Sequence, residues 1–433
     1  MKSGTWVCIF LMAASGVLAQ TRVFTGATIH PVKAPVIQNG VLITEGETIA
    51  AMGAAGTLQI PEGAEIIDCK GKVIIPGLVD THSHLGQGDG GDGTSALNPD
   101  VRILDSVDPQ SDTFMRARAG GITTVNVMPG SGHLMSGQTV YLKMRFGKTA
   151  EDLLIHTDDT RTVYGGMKMA NGTNSMRTSG PFPGTRSKSA AMMRDLFVRA
   201  QDYKKKLDQA GSDASKRPAR DLQMESMLEI LNGKRIVHFH THRHDDIMTA
   251  IRLSKEFQFK VVLHHVSEGW MVAGEIARAG IPSSIIVIDS PGGKLEAANL
   301  SPRTGAILDS AGARVAFHTD DPITDSRLFL RSAAMAVRFG MNREKALEGL
   351  TIAGAEMLGL EKKVGSLAPG KSADLVILSG DPFSVYTTVE QTWVEGKKVF
   401  DRQNPADKAY ATGGYQIYRD LLYDHHDLGG GHQ

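Results

Sequence analysis

The sequence predicts an α/β protein, a (β/α)8 TIM barrel with a small β-sandwich domain formed from both chain ends. Three observations predict it. Short β-rich runs broken by turns occupy the two ends of the chain. Strand and helix signals alternate between them. Histidines and acids fall where the predicted strands of that middle stretch end.

The ends come first. Residues 22–75 hold Val41-Leu42-Ile43-Thr44, Thr48-Ile49-Ala50-Ala51-Met52, Glu65-Ile66-Ile67 and Val73-Ile74-Ile75, punctuated by Gly and Pro. Residues 362–402 repeat the character with Asp374-Leu375-Val376-Ile377-Leu378, Gln391-Thr392-Trp393-Val394 and Lys398-Val399-Phe400. The expected organisation is a β-sandwich domain over 20–75 plus 362–402, a barrel over 76–361 and a C-terminal tail over 403–433.

The middle reads as repeated units. Arg235–His240 is a strand and 245–257 a helix; Phe259–His264 is a strand and 268–279 a helix. Ser284–Ile288 is a strand followed by a helix near 303–312, and Ala313–His318 is the last strand before helices over 326–360. Strand-then-helix repetition implies a parallel sheet, and about 285 residues of it fit a barrel better than an open sheet.

Ahead of these elements, Lys2 precedes an apolar run from Trp6 to Ala14, and small residues lead to Ala19-Gln20. That is the signal-peptide pattern, so residues 1–19 are expected to be removed and the mature chain to be secreted or periplasmic. The run is short for a spanning helix, and no stable membrane insertion is expected. Cleavage leaves Cys69 as the single cysteine, with a small buried apolar role and no internal disulfide. Lys plus Arg equals Asp plus Glu at 47 each. This balance, without a basic patch, argues against a nucleic-acid partner. Whether the chain is a monomer or a homo-oligomer stays open.

The chemistry sits at strand ends. Val79-Asp80-Thr81-His82-Ser83-His84 follows the apolar strand Val73-Ile74-Ile75. Two His separated by one residue point the same way on an extended chain, so both imidazoles can reach one metal ion. His238-Phe239-His240-Thr241-His242 offers three imidazoles on one strand face, and spacing does not choose among them. In Val262-Leu263-His264-His265-Val266 adjacent residues face opposite ways, so one histidine is expected to enter the site and the other to pack against a helix. Asp320 and Asp321 follow the last strand in Phe317-His318-Thr319-Asp320-Asp321-Pro322.

The run Asp68-Cys69-Lys70-Gly71-Lys72-Val73-Ile74-Ile75-Pro76-Gly77-Leu78-Val79-Asp80-Thr81-His82-Ser83-His84 resembles the start of the first barrel strand in the amidohydrolase superfamily. The run from Gly365 to Val376 resembles that superfamily's return to its small domain, and the two frame residues 22–402. Within the superfamily, the chain is most similar to secreted imidazolonepropionase-like and prolidase-like members.

The resemblance implies a divalent metal centre, zinc by default, with one or two ions per chain. It implies His82 and His84 as first-strand ligands, His240 as the fifth-strand ligand and His265 as the sixth. It implies Asp320 as the eighth-strand aspartate that touches metal and shuttles the proton, while Asp321 caps the following segment. Lys168, in Gly165-Gly166-Met167-Lys168, is similar to the fourth-strand lysine that some members carboxylate with carbon dioxide to bridge two ions. His242, His133, Tyr164 and Arg177 are candidate substrate contacts, Asp80 a candidate support for the metal-bound imidazoles, and the loop with Gly88, Asp89, Gly90, Gly91, Asp92 and Gly93 a candidate lid. Deaminase-like members carry a glutamate three residues after the fifth-strand histidine, where this chain has Arg243.

The expected reaction is therefore hydrolysis of an amide or peptide-like C–N bond by metal-activated hydroxide. The substrate is a small molecule or short peptide: a dipeptide, an N-acyl amino acid or a cyclic amide. A single-metal deaminase or ring hydrolase is the alternative within enzymes. A non-catalytic binding protein on the same fold is the alternative of another class.

Overall fold

The first and last β-rich runs pair with each other. A computed structural model describes residues 20–86, 88, 90–155, 164–287 and 294–413. Eight strands form one sheet: β1 (Thr21–Ile29), β2 (Ile37–Glu45), β3 (Thr48–Ala54), β4 (Glu65–Asp68) and β5 (Val73–Pro76), with β15 (Leu375–Leu378), β16 (Val389–Val394) and β17 (Lys397–Asp401). The order is β17-β16-β15-β5-β1-β2-β3, with β4 beside β1. The joint is the antiparallel pair β5–β15, from Pro76 opposite Leu375 to Val73 opposite Leu378. Alternate residues of a strand face opposite sides. Accordingly Phe24 and Leu42 join a cluster with Cys69, Ile74 and Trp393, and Val23, Val41 and Ile43 form a separate one. Cys69 is buried there, and burial pushes its thiol up to about 12.

Two further sheets hold the middle of the chain. In one, β10 (Met167–Ala170), β11 (Val237–Thr241), β12 (Val261–His265), β13 (Ser283–Ile285) and β14 (Val315–Phe317) run parallel in chain order. In the other, β6 (Leu78–Ser83) and β7 (Ile122–Val127) run parallel. The remaining two strands break the expected pattern. β8 (Met135–Gln138) pairs antiparallel with β10, and β9 (Val140–Lys143) pairs antiparallel with β7. Only Thr139 separates them, so one stretch of chain runs from one sheet to the other. The reason is length: the link from Val127 to Met135 is too short for a crossover, which needs a dozen or more residues. At the far side, the Asp320 N–H donates to His82 O at 2.8 Å and the His84 N–H donates to Asp321 O at 3.2 Å, drawing the ends of β14 and β6 together.

Helices link the parallel strands at Arg186–Ala210, Leu222–Leu231, His244–Phe257, Ala273–Ala279 and Thr304–Ser310, and three more lie between β14 and β15. The helix His244–Phe257 shows why they form. Ile247, Ala250, Ile251, Ser254 and Phe257 recur at helical spacing and are buried, Asp245 and Asp246 sit in the first turn, and Gln258 ends it in the left-handed conformation at φ 56°. No helix among the described residues is long and apolar enough to cross a membrane.

A buried ion pair ties the sheet of the chain ends to β9. Lys143 Nζ meets Asp374, Ser372 Oγ donates to Asp374 Oδ1 at 2.8 Å, and the Glu395 N–H donates to the same oxygen at 2.9 Å. The start of the expected tail is a helix, Pro405–Thr412, capped by Asn404. Its Tyr410 hydroxyl donates to Asp112 Oδ1 at 2.9 Å, on the helix Asp112–Ala119. The expected signal peptide, the tail beyond residue 413, Asp89 of the glycine loop and Ile288 at the end of one expected strand lie outside the described residues.

Candidate metal centre

Five strand ends deliver the polar groups. β6 brings His82 and, one step past its end, His84, with ring centroids 5.2 Å apart. β10 brings Lys168, β11 brings His238, His240 and His242, and β12 brings His264 and His265. His318, Thr319 and Asp320 follow β14. The side chains of His84 and Asp320 are 14% and 15% exposed, and His82 is fully buried, so the cluster opens on the side of His84 and Asp320.

Asp320 Oδ1 lies 3.0 Å from His84 Nε2 and 3.1 Å from His82 Nε2. Lys168 Nζ lies 2.9 Å from His82 Nε2 and 3.0 Å from Met128 Sδ. His84 Nδ1 faces the Met128 carbonyl at 2.8 Å and must donate to it. In the neutral ring that leaves Nε2 as an acceptor aimed at a carboxylate oxygen. Two acceptors at 3.0 Å repel unless a proton or cation joins them.

The second group is His240, His242 and His265, whose ring centroids lie 4.3–4.9 Å apart. A third comprises His82, His264 and His318. The expected alternation at His264 and His265 does not hold, because His264 packs on the rings of His82 and His318 rather than on a helix. The cause is backbone: β12 leaves extended geometry at His265, with φ 69° there and 53° at Val266. Asp320 also has positive φ, 51°. Non-glycine residues held in this region cluster at functional sites.

Burial dominates the electrostatics. It lowers the pKa of His238, His242 and His318 to about 3 and drives His82, His240, His264 and His265 well below the usual histidine range. Their rings are neutral at pH 7, with lone pairs available. Burial also lowers Lys168 to about 7. Burial opposes ionisation of Asp320, but the His84 hydrogen bond and the surrounding imidazoles override it and hold the carboxyl well below the carboxylate range.

The donor set fits a metal ion. Within this histidine cluster, six buried ring nitrogens have no hydrogen-bond partner among the described residues: both of His240, Nε2 of His242 and of His265, and Nδ1 of His82 and of His264. At about 1–3 kcal/mol each, six such atoms would consume much of a net stability of about 5–15 kcal/mol. His238, by contrast, is satisfied: Nδ1 meets His264 Nε2 and Nε2 meets Tyr141 Oη, both at 2.9 Å.

The other candidates are placed differently. Asp80 has no hydrogen bond to an imidazole among the described residues; it accepts from Thr319 Oγ1 at 2.5 Å, from the Thr319 N–H at 3.1 Å and from the His82 N–H at 3.2 Å, pinning the two strand ends that carry His82 and Asp320. Asp321 caps the next segment by accepting from the Ser326 N–H at 2.9 Å and hydroxyl at 2.5 Å, and it pairs with Arg116. Arg177 donates to the carbonyls of Gly132, Asn174 and Met176 and stacks over Phe182, which also meets the His133 ring. Tyr164 packs on the main core. Gly91 of the glycine loop lies against His133, where a Cβ would come within 2.6 Å of the ring. Arg243 is bidentate on Asp245. The supports from Tyr141, from Met128 and from Ser267, whose Oγ lies 2.7 Å from His242 Nδ1, depend on long-range contacts and leave no local signal; His318 had one, its place beside Asp320 at a strand end.

The amidohydrolase family model matches residues 73–399. A solved amidohydrolase from Thermotoga maritima MSB8 superposes with a TM-score of 0.80 at 33% identity, covering 88% of this chain and 100% of that one. Amidohydrolase tasK of Hapsidospora irregularis is 27% identical over 403 residues, which are 86% of this chain but only 41% of that relative. Imidazolonepropionase of Rhizobium rhizogenes is 24% identical over 384 residues, 82% of this chain and 91% of its own.

Proposed function

The chain belongs to the amidohydrolase family and is a metal-binding hydrolase acting on C–N bonds, and from that premise we propose that it cleaves a peptide-like amide at a centre of two divalent ions. The substrate is a dipeptide, an N-acyl amino acid or a cyclic amide. His82, His84, His240, His265 and Asp320 would hold the ions, together with Lys168 as its carbamate. The fold frame is a barrel, of which the two middle sheets are arcs, with 20–75 and 362–402 as the smaller domain. The basic start and apolar run of residues 2–14 support export of a mature chain beginning near Gln20.

Lys168 is the observation that carries this reading. Its amine is wholly buried against His82, and burial lowers its pKa to about 7, so much of it is free amine at neutral pH. A free amine adds to carbon dioxide: an N–C bond forms, the nitrogen loses a proton, and the product is an anion with two oxygens. That anion turns a group that repels cations into a ligand. Bound divalent ions supply Lewis acidity, polarising the scissile carbonyl and acidifying the attacking water. Asp320, ionised and partly open to solvent, takes the water's proton and returns it to the leaving nitrogen. Arg243 argues against ring deamination, since the acid that would protonate a ring nitrogen is replaced by a cation engaged with Asp245.

The test is metal content per chain of the mature protein, by elemental mass spectrometry with bicarbonate in the buffer. Two ions per chain, falling on Lys168→Ala, support the bridged centre and direct screening to dipeptides and N-acyl amino acids. One ion, unaffected by that substitution, refutes the bridge and points to a single-metal ring hydrolase.

A further inference from the structure

We propose that His242 is a third imidazole ligand, beside His240 and His265, to one of the two ions, rather than a substrate contact. The proposal rests on the two-ion reading above and adds to it a residue from the outer end of β11.

Three observations carry it. The ligand atoms of His240, His242 and His265 lie within 4.8 Å of one another, and all three rings are buried. The free nitrogens converge: Nε2 of His242, Nε2 of His265 and both nitrogens of His240 have no hydrogen-bond partner among the described residues. His242 is also held for the task. Its Nδ1 meets Ser267 Oγ at 2.7 Å, which fixes the ring and presents Nε2 to the other two. A metal-ligating histidine typically has its second nitrogen engaged in this way. A substrate contact would be expected on the open side, with His84 and Asp320, whereas His242 is only 4% exposed.

The consequence is an asymmetric centre. One ion would be held by His82, His84 and Asp320, and the other by the three imidazoles of His240, His242 and His265. The imidazole-rich ion suits zinc, cobalt, nickel or copper better than magnesium or calcium.

The test is zinc affinity of the full mature chain with bicarbonate, by competition with a chromophoric chelator. Wild type should show two sites. His242→Ala should weaken one of them by at least about 100-fold and leave the other unchanged, and Ser267→Ala, which keeps the ring but frees it, should weaken the same site about 10–100-fold. Cobalt-loaded His242→Gln should lose absorption intensity at that site. Unchanged zinc affinities in His242→Ala with a raised KM would make His242 a substrate contact and overturn the proposal. Should His242→Ala not fold, unchanged affinity in Ser267→Ala together with an unchanged cobalt spectrum in His242→Gln overturns it as well. A wild type with one ion or none refutes the two-ion reading itself, and is seen before any variant is made.

Discussion

Replacing Asp374 by Ala should destabilise the fold by about 3–5 kcal/mol, although Asp374 does no chemistry. The substitution removes the carboxylate that accepts from Lys143 Nζ, Ser372 Oγ and the Glu395 N–H, in a site where Lys143 and Asp374 side chains are 5% and 3% exposed. What remains is a buried ammonium that keeps its hydrogen bond to Ser372 Oγ at 3.1 Å but has lost its carboxylate partner. A charge stranded in this way is what makes a broken buried pair cost about 3–5 kcal/mol. The two lost donors add less, since Ser372 and Glu395 lie nearer solvent. Replacing both partners, as Lys143→Met with Asp374→Leu, removes the stranded charge and should recover most of the loss. Urea unfolding followed by Trp393 fluorescence reads the right region, because Trp393 pairs with Leu375 in the same sheet. A single-variant loss below about 1 kcal/mol, or a double variant no better than the single one, would refute the account.

The remaining predictions concern the site. Asp320→Asn should lower kcat by about 10²–10⁴-fold through loss of the proton shuttle, whereas His238→Ala, away from the open side, should cost far less in turnover; equal losses in steady-state assays would sink the division of roles. His238 also sets a pH response. Its pKa is about 3 folded against about 6.5 unfolded, so its contribution is intact above pH 6.5 and is lost as pH falls, by about 3 kcal/mol at pH 4. His238→Gln should flatten that part of the acid limb in urea midpoints, and an identical limb would refute the assignment. Removing metal with a chelator should lower apparent stability by about 3 kcal/mol for each site held at 100 times its dissociation constant; a melting temperature indifferent to chelator would argue against the centre.

Much of the frame was legible because it rests on local pattern. Apolar runs ending in histidines located the strands, and 245–257 read as a helix because its buried residues recur at helical spacing. The motif around Asp374 was legible only by likeness, and its packing against Lys143 was not. Three kinds of feature escaped. The antiparallel course of β8 and β9 depends on which strands lie next to them, which a chain of short apolar runs does not encode. The roles of His238, His240 and His242 could not be split by a period of two, since all three share a face; their partners separate them, Tyr141 and His264 for one, Ser267 for another, none for His240. The pair His264 and His265 misled because the alternation rule assumes extended backbone, and the strand ends there in a left-handed turn.

The joint between β5 and β15 has a consequence for how the chain is made. β5 lies between β1 and β15, so one edge of it has no partner until Leu375–Leu378 emerges, about 300 residues after Pro76, or roughly 15–60 s at ordinary elongation rates. During that interval the nascent chain carries an open apolar strand, Val73-Ile74-Ile75, that any passing edge can pair with. Truncation before Leu375, which removes β15, should therefore yield insoluble chains rather than a shorter soluble enzyme.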